Sequence, residues 1–401
     1  MTQVILTLNA GSSSLKLSVY PAGDGAPIAT GHARGVGTGG AFTLRDAGGK
    51  VLFQDARHNA THAEALATAI DALRIAFPDI DIRAVGHRIV HGGTEYTAPA
   101  VLDEADLTAL ERFSPFAPLH QPHNLAGVRA ARAAFPDAPQ IGCFDTAFHR
   151  NHPFVNDTFA LPASYYERGI RRYGFHGLSY DYITSVLEQD WPELHQSKTI
   201  IAHLGNGASL CAVRNGQSIA STMGFSALDG LPMGTRCGQI DPGVLLYLMQ
   251  QENLTAPEIE DLLYNNSGLL GMSGLSHDMR ILLETDLPSA AEAIDYYVFR
   301  IRREIGAMAA ALGGLDGIVF CGGIGENAAI IRARICEGME WLGLTIDPAK
   351  NAGRGPVIGK GKVTALVIPT NEELVIARAC RQKLSRTTKP GAASSSVNAA
   401  E

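Results

Sequence analysis

The chain has 401 residues, 46% hydrophobic and 18% charged. That length suggests two domains with ample core, and that apolar share excludes a chain disordered throughout. Lys and Arg number 33 against 40 Asp and Glu, a net charge of −7, which argues against a general nucleic-acid binder but leaves small phosphate ligands open, since a few local cations and backbone N–H groups hold those.

Along the chain, Val4–Leu8 is a β-rich run ending at Asn9-Ala10-Gly11, and alternation resumes over Leu15–Tyr20, so the opening reads as a hairpin. Strands are expected near Phe42–Arg45 and Val51–Gln54, a helix over Thr61–Phe77 and a strand over Ala84–Val90, closed by Gly92-Gly93. Asp103–Arg112 and Asn124–Phe135 read as helices and Gln140–Phe144 as a strand. Pro153 and Pro162 mark a boundary near residues 146–165. A second series then opens with strands Thr199–His203 and Ser209–Val213 around Gly205-Asn206-Gly207, repeating the first hairpin. Helices follow at Gly243–Gln251, Ala256–Leu263 and Ser289–Leu312, then strand Gly317–Cys321, helix Ala328–Glu337, strand Val363–Ile368 and helix Glu372–Leu384. Residues 386–401 are Ser/Ala-rich and aperiodic and read as a disordered tail. The pattern is an α/β fold built twice, with a cleft for a phosphate ligand between the halves. No apolar run reaches membrane-spanning length, and Met1-Thr2-Gln3 lacks the cationic start of a signal peptide. Cys143, Cys211, Cys237, Cys321, Cys336 and Cys380 form no C-x-x-C pair and read as reduced thiols of a cytoplasmic protein.

Several segments carry chemistry. Asn9-Ala-Gly-Ser-Ser-Ser-Leu-Lys16 has small residues, hydroxyls and a cation suited to phosphate, though a solvated hairpin uses the same residues. Gly323-Ile-Gly-Glu-Asn-Ala328 matches G-x-G-x-x-A after a strand, with Asp347 downstream as a candidate ribose acid. Its place late in the chain weakens a dehydrogenase reading. In Val85-Gly-His-Arg-Ile-Val-His-Gly-Gly93, Arg88 faces away from His87 and His91 and awaits a carboxylate of protein or substrate. Metal binding by His87 with His91, or by His120 with His123, is disfavoured by the neighbouring glycines and prolines. Asp145 lies just past a strand, His176 stands between glycines, and Arg236 sits in the Gly-punctuated loop Met233–Pro242. Isolated arginines with a histidine and an aspartate suit transfer of a charged group to an anion. Glu372 and Glu373 open the last helix, where capping is the ordinary role.

Taken together and in order, Asn9–Lys16, His87–Gly93, Phe144–His149, Tyr173–Gly177, His203–Gly207, Met233–Pro242, Gly322–Asn327 and Pro369–Glu373 resemble the acetate kinase family, over residues 2 to about 385. The resemblance implies the acetate and sugar kinase/Hsc70/actin fold, with two related ribonuclease H-like domains and an interdomain cleft. Residues 1–150 would form the first domain, completed by a helix near 372–385, and residues 151–371 the nucleotide-binding second domain. It implies reversible, direct in-line transfer of the ATP γ-phosphoryl group to acetate, with Mg²⁺ or alternatively Mn²⁺, in a homodimer that binds neither nucleic acid nor membrane. By matching position, Asn9 and Glu372 are metal residues, and Asp145, His176 and Arg236 are catalytic. Arg88, Val90, Leu119, Phe175 and Ala227 bind the acyl substrate. ATP falls to Ser12, Ser14 and Lys16, to His203, Leu204, Gly205, Asn206 and Gly207, to Asp278, Met279 and Arg280, and to Gly323, Ile324, Gly325, Glu326 and Asn327. A carboxylate nucleophile needs no general base at pH 7, so Asp145 is expected to orient an arginine or the metal's water shell. The segment Gly224–Gly230 departs from the commoner family pattern, which has proline at the Ala227 position. Rival readings are a propionate or butyrate kinase, and an ATP-driven switch of the actin kind, which would lack the substrate arginines.

Overall fold

The computed structural model describes residues 1–11, 14–36, 40–55, 61–118 and 120–387. Ser12, Leu119 and residues 388–401 of the expected tail lie outside the described residues.

Eight strands form the first sheet: β1 (Thr2–Ala10), β2 (Ser14–Pro21), β3 (Ala29–Arg34), β4 (Phe42–Asp46), β5 (Val51–Asp55), β6 (Ile80–Ile89), β7 (Ala100–Val101) and β8 (Gln140–Phe144), in the order β5-β4-β3-β2-β1-β6-β8-β7. β1 is buried on both faces from Val4 onward, as a central strand between two helical layers must be. Leu6 and Leu8 join Leu66, Ala69 and Leu73 of helix His62–Ala76 on one side. Ile5 alternates to the other side, with Val375, Ile376 and Cys380 of helix Glu372–Thr387.

The second sheet holds β9 (Lys198–Leu204), β10 (Ala208–Arg214), β11 (Gln217–Ser221), β12 (Gly317–Cys321) and β13 (Thr364–Val367), in the order β11-β10-β9-β12-β13. Here β10 pairs antiparallel with β9 and β11, while β9, β12 and β13 run parallel. In the first sheet β2 pairs antiparallel with β1 and β3, while β1, β6 and β8 run parallel. The two halves therefore share one topology, and the repeat seen in the two hairpins extends to five strands each. Helix Gly177–Asp190 covers the second sheet through Tyr180, Ile183 and Leu187, as Glu372–Thr387 covers the first, and the two helices pack together.

Several elements escaped the sequence pattern, among them β3, β7, β11 and the helices Gly177–Asp190, Gly268–Ser273 and Met279–Leu283. β3 buries only Ala29, Gly31 and Ala33 on its inner face, small residues that give no apolar signal. A Cβ on Gly31 would lie 2.8 Å from both Leu17 and Phe42 side chains, which already fill that space. β11 is short and polar, and helix Gly177–Asp190 was hidden behind a motif read for its chemistry. The last helix runs to Thr387, past the expected tail boundary at residue 386.

Candidate active site

The parallel strands end where their topology brings chemical groups together. Arg88, near the end of β6, donates from Nε and Nη2 to Asp145, 3.1 and 2.7 Å away, just beyond β8. Its Nη1 donates to Asn9 Oδ1 at 3.2 Å, near the end of β1. Of five guanidinium N–H groups, those bonds occupy three and leave two for a substrate. The carboxylate that Arg88 awaited is therefore supplied by the protein. Burial opposes the charge of Arg88, but Asp145, Glu372 and Glu373 outweigh it and hold the guanidinium protonated. Burial raises the Asp145 carboxyl, and Arg88 works against that rise.

Glu372 does not take the ordinary capping role. Asn371 caps that helix instead, accepting from Leu374 N at 3.0 Å. Glu372 accepts from Asn9 Nδ2 at 3.0 Å and stands 3.9 Å from Arg88 Nε. Burial pushes its pKa up, but Arg88, His203, Lys16 and Asn9 together hold the carboxyl below its ordinary value. Asn9 turns its NH₂ to Glu372 and its Oδ1 to Arg88, so the set that fits a divalent cation is the Glu372 carboxylate with the second lone pair of Asn9 Oδ1, completed by phosphate oxygens and water.

Facing this cluster, Arg236 donates from Nη1 to Ala227 O at 3.1 Å and forms no ion pair among the described residues. Burial lowers its pKa, and Arg88 adds to that. A half-buried guanidinium without a carboxylate is costly until an anion arrives. Its loop touches the β9–β10 turn, with Gly234 N donating to Asn206 O at 3.0 Å.

His176 has φ 58°, the left-handed region. The following residue must be glycine, since a Cβ on Gly177 would lie 2.0 Å from the Asp145 carbonyl oxygen. Its ring stacks on His203 with centroids 4.3 Å apart. Burial, His203, Arg88 and Arg236 hold His176 well below the usual imidazole pKa, so it is neutral at pH 7. His203 is lowered to about 4, mainly by burial, and its Nδ1 lies 2.8 Å from Ser179 Oγ.

Of the positions the resemblance assigned to ATP, Gly205, Asn206, Asp278, Met279, Arg280, Gly323, Ile324 and Asn327 line a cavity of about 770 Å³, with Leu283 and Ile330 as apolar walls. Lys16 pairs with Asn9 across the first hairpin, and Ser14 opens β2. Several matched positions lie outside that lining, among them Ser14, Lys16, His203, Leu204, Gly207, Gly325 and Glu326. Leu204 is fully buried, and Gly325 is buried behind the turn. Glu326 Oε1 accepts from Gly322 N at 2.9 Å and Thr370 N at 3.1 Å, so it braces the turn. Asp347 is no ribose ligand: it caps helix Pro348–Ala352 by accepting from Ala349 N at 2.9 Å and Lys350 N at 3.1 Å.

Val90, Phe175 and Ala227 fall in one buried cluster with Ala117, Tyr173 and Met223, and Phe225 packs against it. Two residues of this region were missed in the sequence. Asn124 accepts from Val90 N at 3.0 Å and donates to Ala10 O at 2.9 Å, tying the buried cluster to β1. His120 lies within reach of Arg236 and Arg88, whose charges add to burial in lowering its pKa. Its proline-flanked setting had argued only against zinc.

Many imidazoles are buried neutral. His87, bonded to Gln140 at 2.8 Å, is lowered to about 4 by burial, and His152 likewise. A folded pKa below the unfolded value of about 6.5 means that acid favours the unfolded chain. This contribution is whole above pH about 6.5 and is lost as pH falls toward about 4. Calorimetry should find Tm level from pH 8 to 7 and falling steeply below about 6.5. A level Tm down to pH about 5 would contradict the burial of neutral imidazoles.

Two duplicated α/β units meeting at a cleft, with an anion-ready arginine on one wall and a nucleotide-sized cavity beside it, define a phosphotransferase of the acetate and sugar kinase/Hsc70/actin superfamily. The chain belongs to the acetokinase family, whose model matches residues 4–378. It is 51% identical to the acetate kinase of Methylocella silvestris, over 94% of this chain and 97% of that one. Among solved structures, it matches the acetate kinase of Porphyromonas gingivalis with TM-score 0.83 and 36% identity, covering 95% of this chain and 100% of that one. It also matches a propionate kinase from Francisella tularensis with TM-score 0.87 and 34% identity, covering 94% and 98%.

Proposed function

We propose that this protein is an acetate kinase, transferring the γ-phosphoryl group of ATP reversibly to acetate. The observation that carries this reading is the pair of cleft arginines, one braced by Asp145 and Asn9 and one without an acidic partner. An acetate oxygen attacks the γ-phosphorus in line as the bond to the β-phosphate oxygen breaks, giving acetyl phosphate and ADP. Arg88 presents its remaining N–H groups to the carboxylate. Arg236 and His176 donate to equatorial oxygens, where negative charge gathers. Asp145 orients Arg88 and moves no proton. Asn9 and Glu372 are the residues to hold Mg²⁺ or Mn²⁺, which when bound offsets nucleotide charge. ADP release from ATP in the presence of acetate, with hydroxylamine trapping of the acyl phosphate, tests the reading. ATP hydrolysis with no trapped hydroxamate would overturn it.

Propionate is a second acceptor on this reading. Ala227 is smaller than proline and frees φ in the pocket loop, and the propionate kinase match is consistent with a related pocket. A methylene in an apolar pocket is worth about 1–3 kcal/mol, so acetate stays preferred without exclusion of propionate. Ala227→Pro should raise the acetate-to-propionate ratio of kcat/KM, by up to about tenfold. The proline keeps the carbonyl that Arg236 uses, so kcat on acetate should hold. An unchanged or lower ratio would remove Ala227 from the pocket.

The reading includes a cytoplasmic homodimer without nucleic acid or membrane partners. In helix Pro242–Gln250 no residue is buried, and Val244, Leu246, Tyr247 and Met249 are exposed. Such an apolar face suits a second copy. No helix among the described residues is long and apolar enough to cross a membrane.

A further inference from the structure

The geometry points to Ser209 and Tyr180 as positioning residues that fix which nitrogen of His176 carries its proton. His176 Nδ1 lies 2.8 Å from Ser209 Oγ, and Ser209 Oγ is hydrogen-bonded to Tyr180 Oη. Ser209 and Tyr180 are fully buried, and the three side chains form one chain with no further hydrogen-bond partner for either hydroxyl among the described residues. Proton counting then decides the tautomer. If His176 carried its proton on Nδ1 and donated to Ser209, one hydroxyl proton would be left over. Either Ser209 would donate to Tyr180 and strand the phenol proton, or Tyr180 would donate to Ser209 and strand the serine proton. Only one arrangement gives both hydroxyl protons an acceptor: Tyr180 donates to Ser209, Ser209 donates to the Nδ1 lone pair, and the ring proton on Nε2, which is not among the fully buried polar atoms without a partner, stays open to water or substrate. A buried donor without an acceptor is disfavoured. The neutral ring therefore carries its proton on Nε2.

That nitrogen faces the β9–β10 turn: a Cβ built on Gly207 would lie 3.1 Å from it. Nε2 has no hydrogen-bond partner among the described residues. The relay thus holds an N–H donor toward the turn that lies beside the nucleotide cavity, independent of pH near neutrality. Tyr180 follows His176 by one helical turn, its N–H donating to the His176 carbonyl at 3.1 Å, so the ring and the end of the relay sit on one rigid element.

This inference rests on reading His176 as a donor to the transferring phosphoryl group, and the experiment separates the two. In full-length protein labelled with ¹⁵N-histidine, long-range ¹H–¹⁵N spectra are recorded from pH 6 to 8, with His176→Gln to assign the resonance. The expected result is a protonated Nε2 and a bare Nδ1 throughout. A protonated Nδ1, or an imidazolium near neutral pH, overturns the relay whatever the kinetics. Ser209→Ala should give mixed tautomers and lower kcat about tenfold, with KM for ATP and acetate within about threefold, because the donor is lost in the transition state more than in the ground state. Ser209→Thr, which keeps the hydroxyl, should restore kcat. Mixed tautomers in Ser209→Ala with kcat within about twofold of the parent would overturn the positioning role. If His176→Gln itself keeps the parent kcat, the reading of His176 fails instead.

Discussion

Arg236→Lys is expected to lower kcat about 10²-fold or more while leaving the fold intact. Lysine keeps the charge but loses the planar fork. It also loses the reach that lets Nη1 rest on the Ala227 carbonyl, 3.1 Å away, and on Met233 Sδ, while Nε and Nη2 stay free among the described residues. Among the described residues Arg236 has no acidic partner to be left stranded, so its replacement does not expose an unpaired buried carboxylate there. The effect should therefore fall on kcat and not on Tm. Nucleotide affinity, measured separately by titration, should change little. A folded Arg236→Lys protein with near-normal kcat would remove Arg236 from the transition state.

Asp145→Asn should lower kcat by about 10³-fold and also lower stability. The side chain is 1% exposed and takes two N–H groups of Arg88. An amide can accept on one side only, and its NH₂ would confront a guanidinium. Arg88 would then turn toward Glu372, 3.9 Å away, disturbing its contact with Asn9 as well. Breaking one partner of a buried pair costs about 3–5 kcal/mol, and Glu372 as a second acceptor should keep the loss at the lower end. Urea unfolding gives the stability change, and steady-state kinetics on the folded fraction gives kcat. If kcat of the folded variant stays within about tenfold of the parent, Arg88 does not depend on Asp145 for its position.

Most strands and long helices were legible because their periodicity is strong. β1, β9 and β12 read as apolar runs since both faces are covered. β3 and β11 were not legible because small and polar residues suffice where neighbours fill the space. The order of eight motifs pointed to the family and to nearly every group in the cleft. It could not say that Glu326 would turn to the backbone of Gly322 and Thr370, or that Asn371 would take the cap and leave Glu372 to Asn9.

What the sequence determined by itself is local: strand and helix periods, glycines where backbones close, and the repeat of a Gly-bearing hairpin. Those depend on neighbours within a few residues, so composition and spacing carry them. Only the tertiary structure decided the partnerships. Asn9 meets Glu372 across 363 positions, and Arg88 meets Asp145 across 57. Such pairs leave no periodic trace, because strand order and register, not spacing along the chain, bring their ends together. The charge states followed from the same packing. Arg88 stays protonated beside Asp145 and Glu372, His176 stays neutral between His203 and two arginines, and Arg236 forms no ion pair among the described residues.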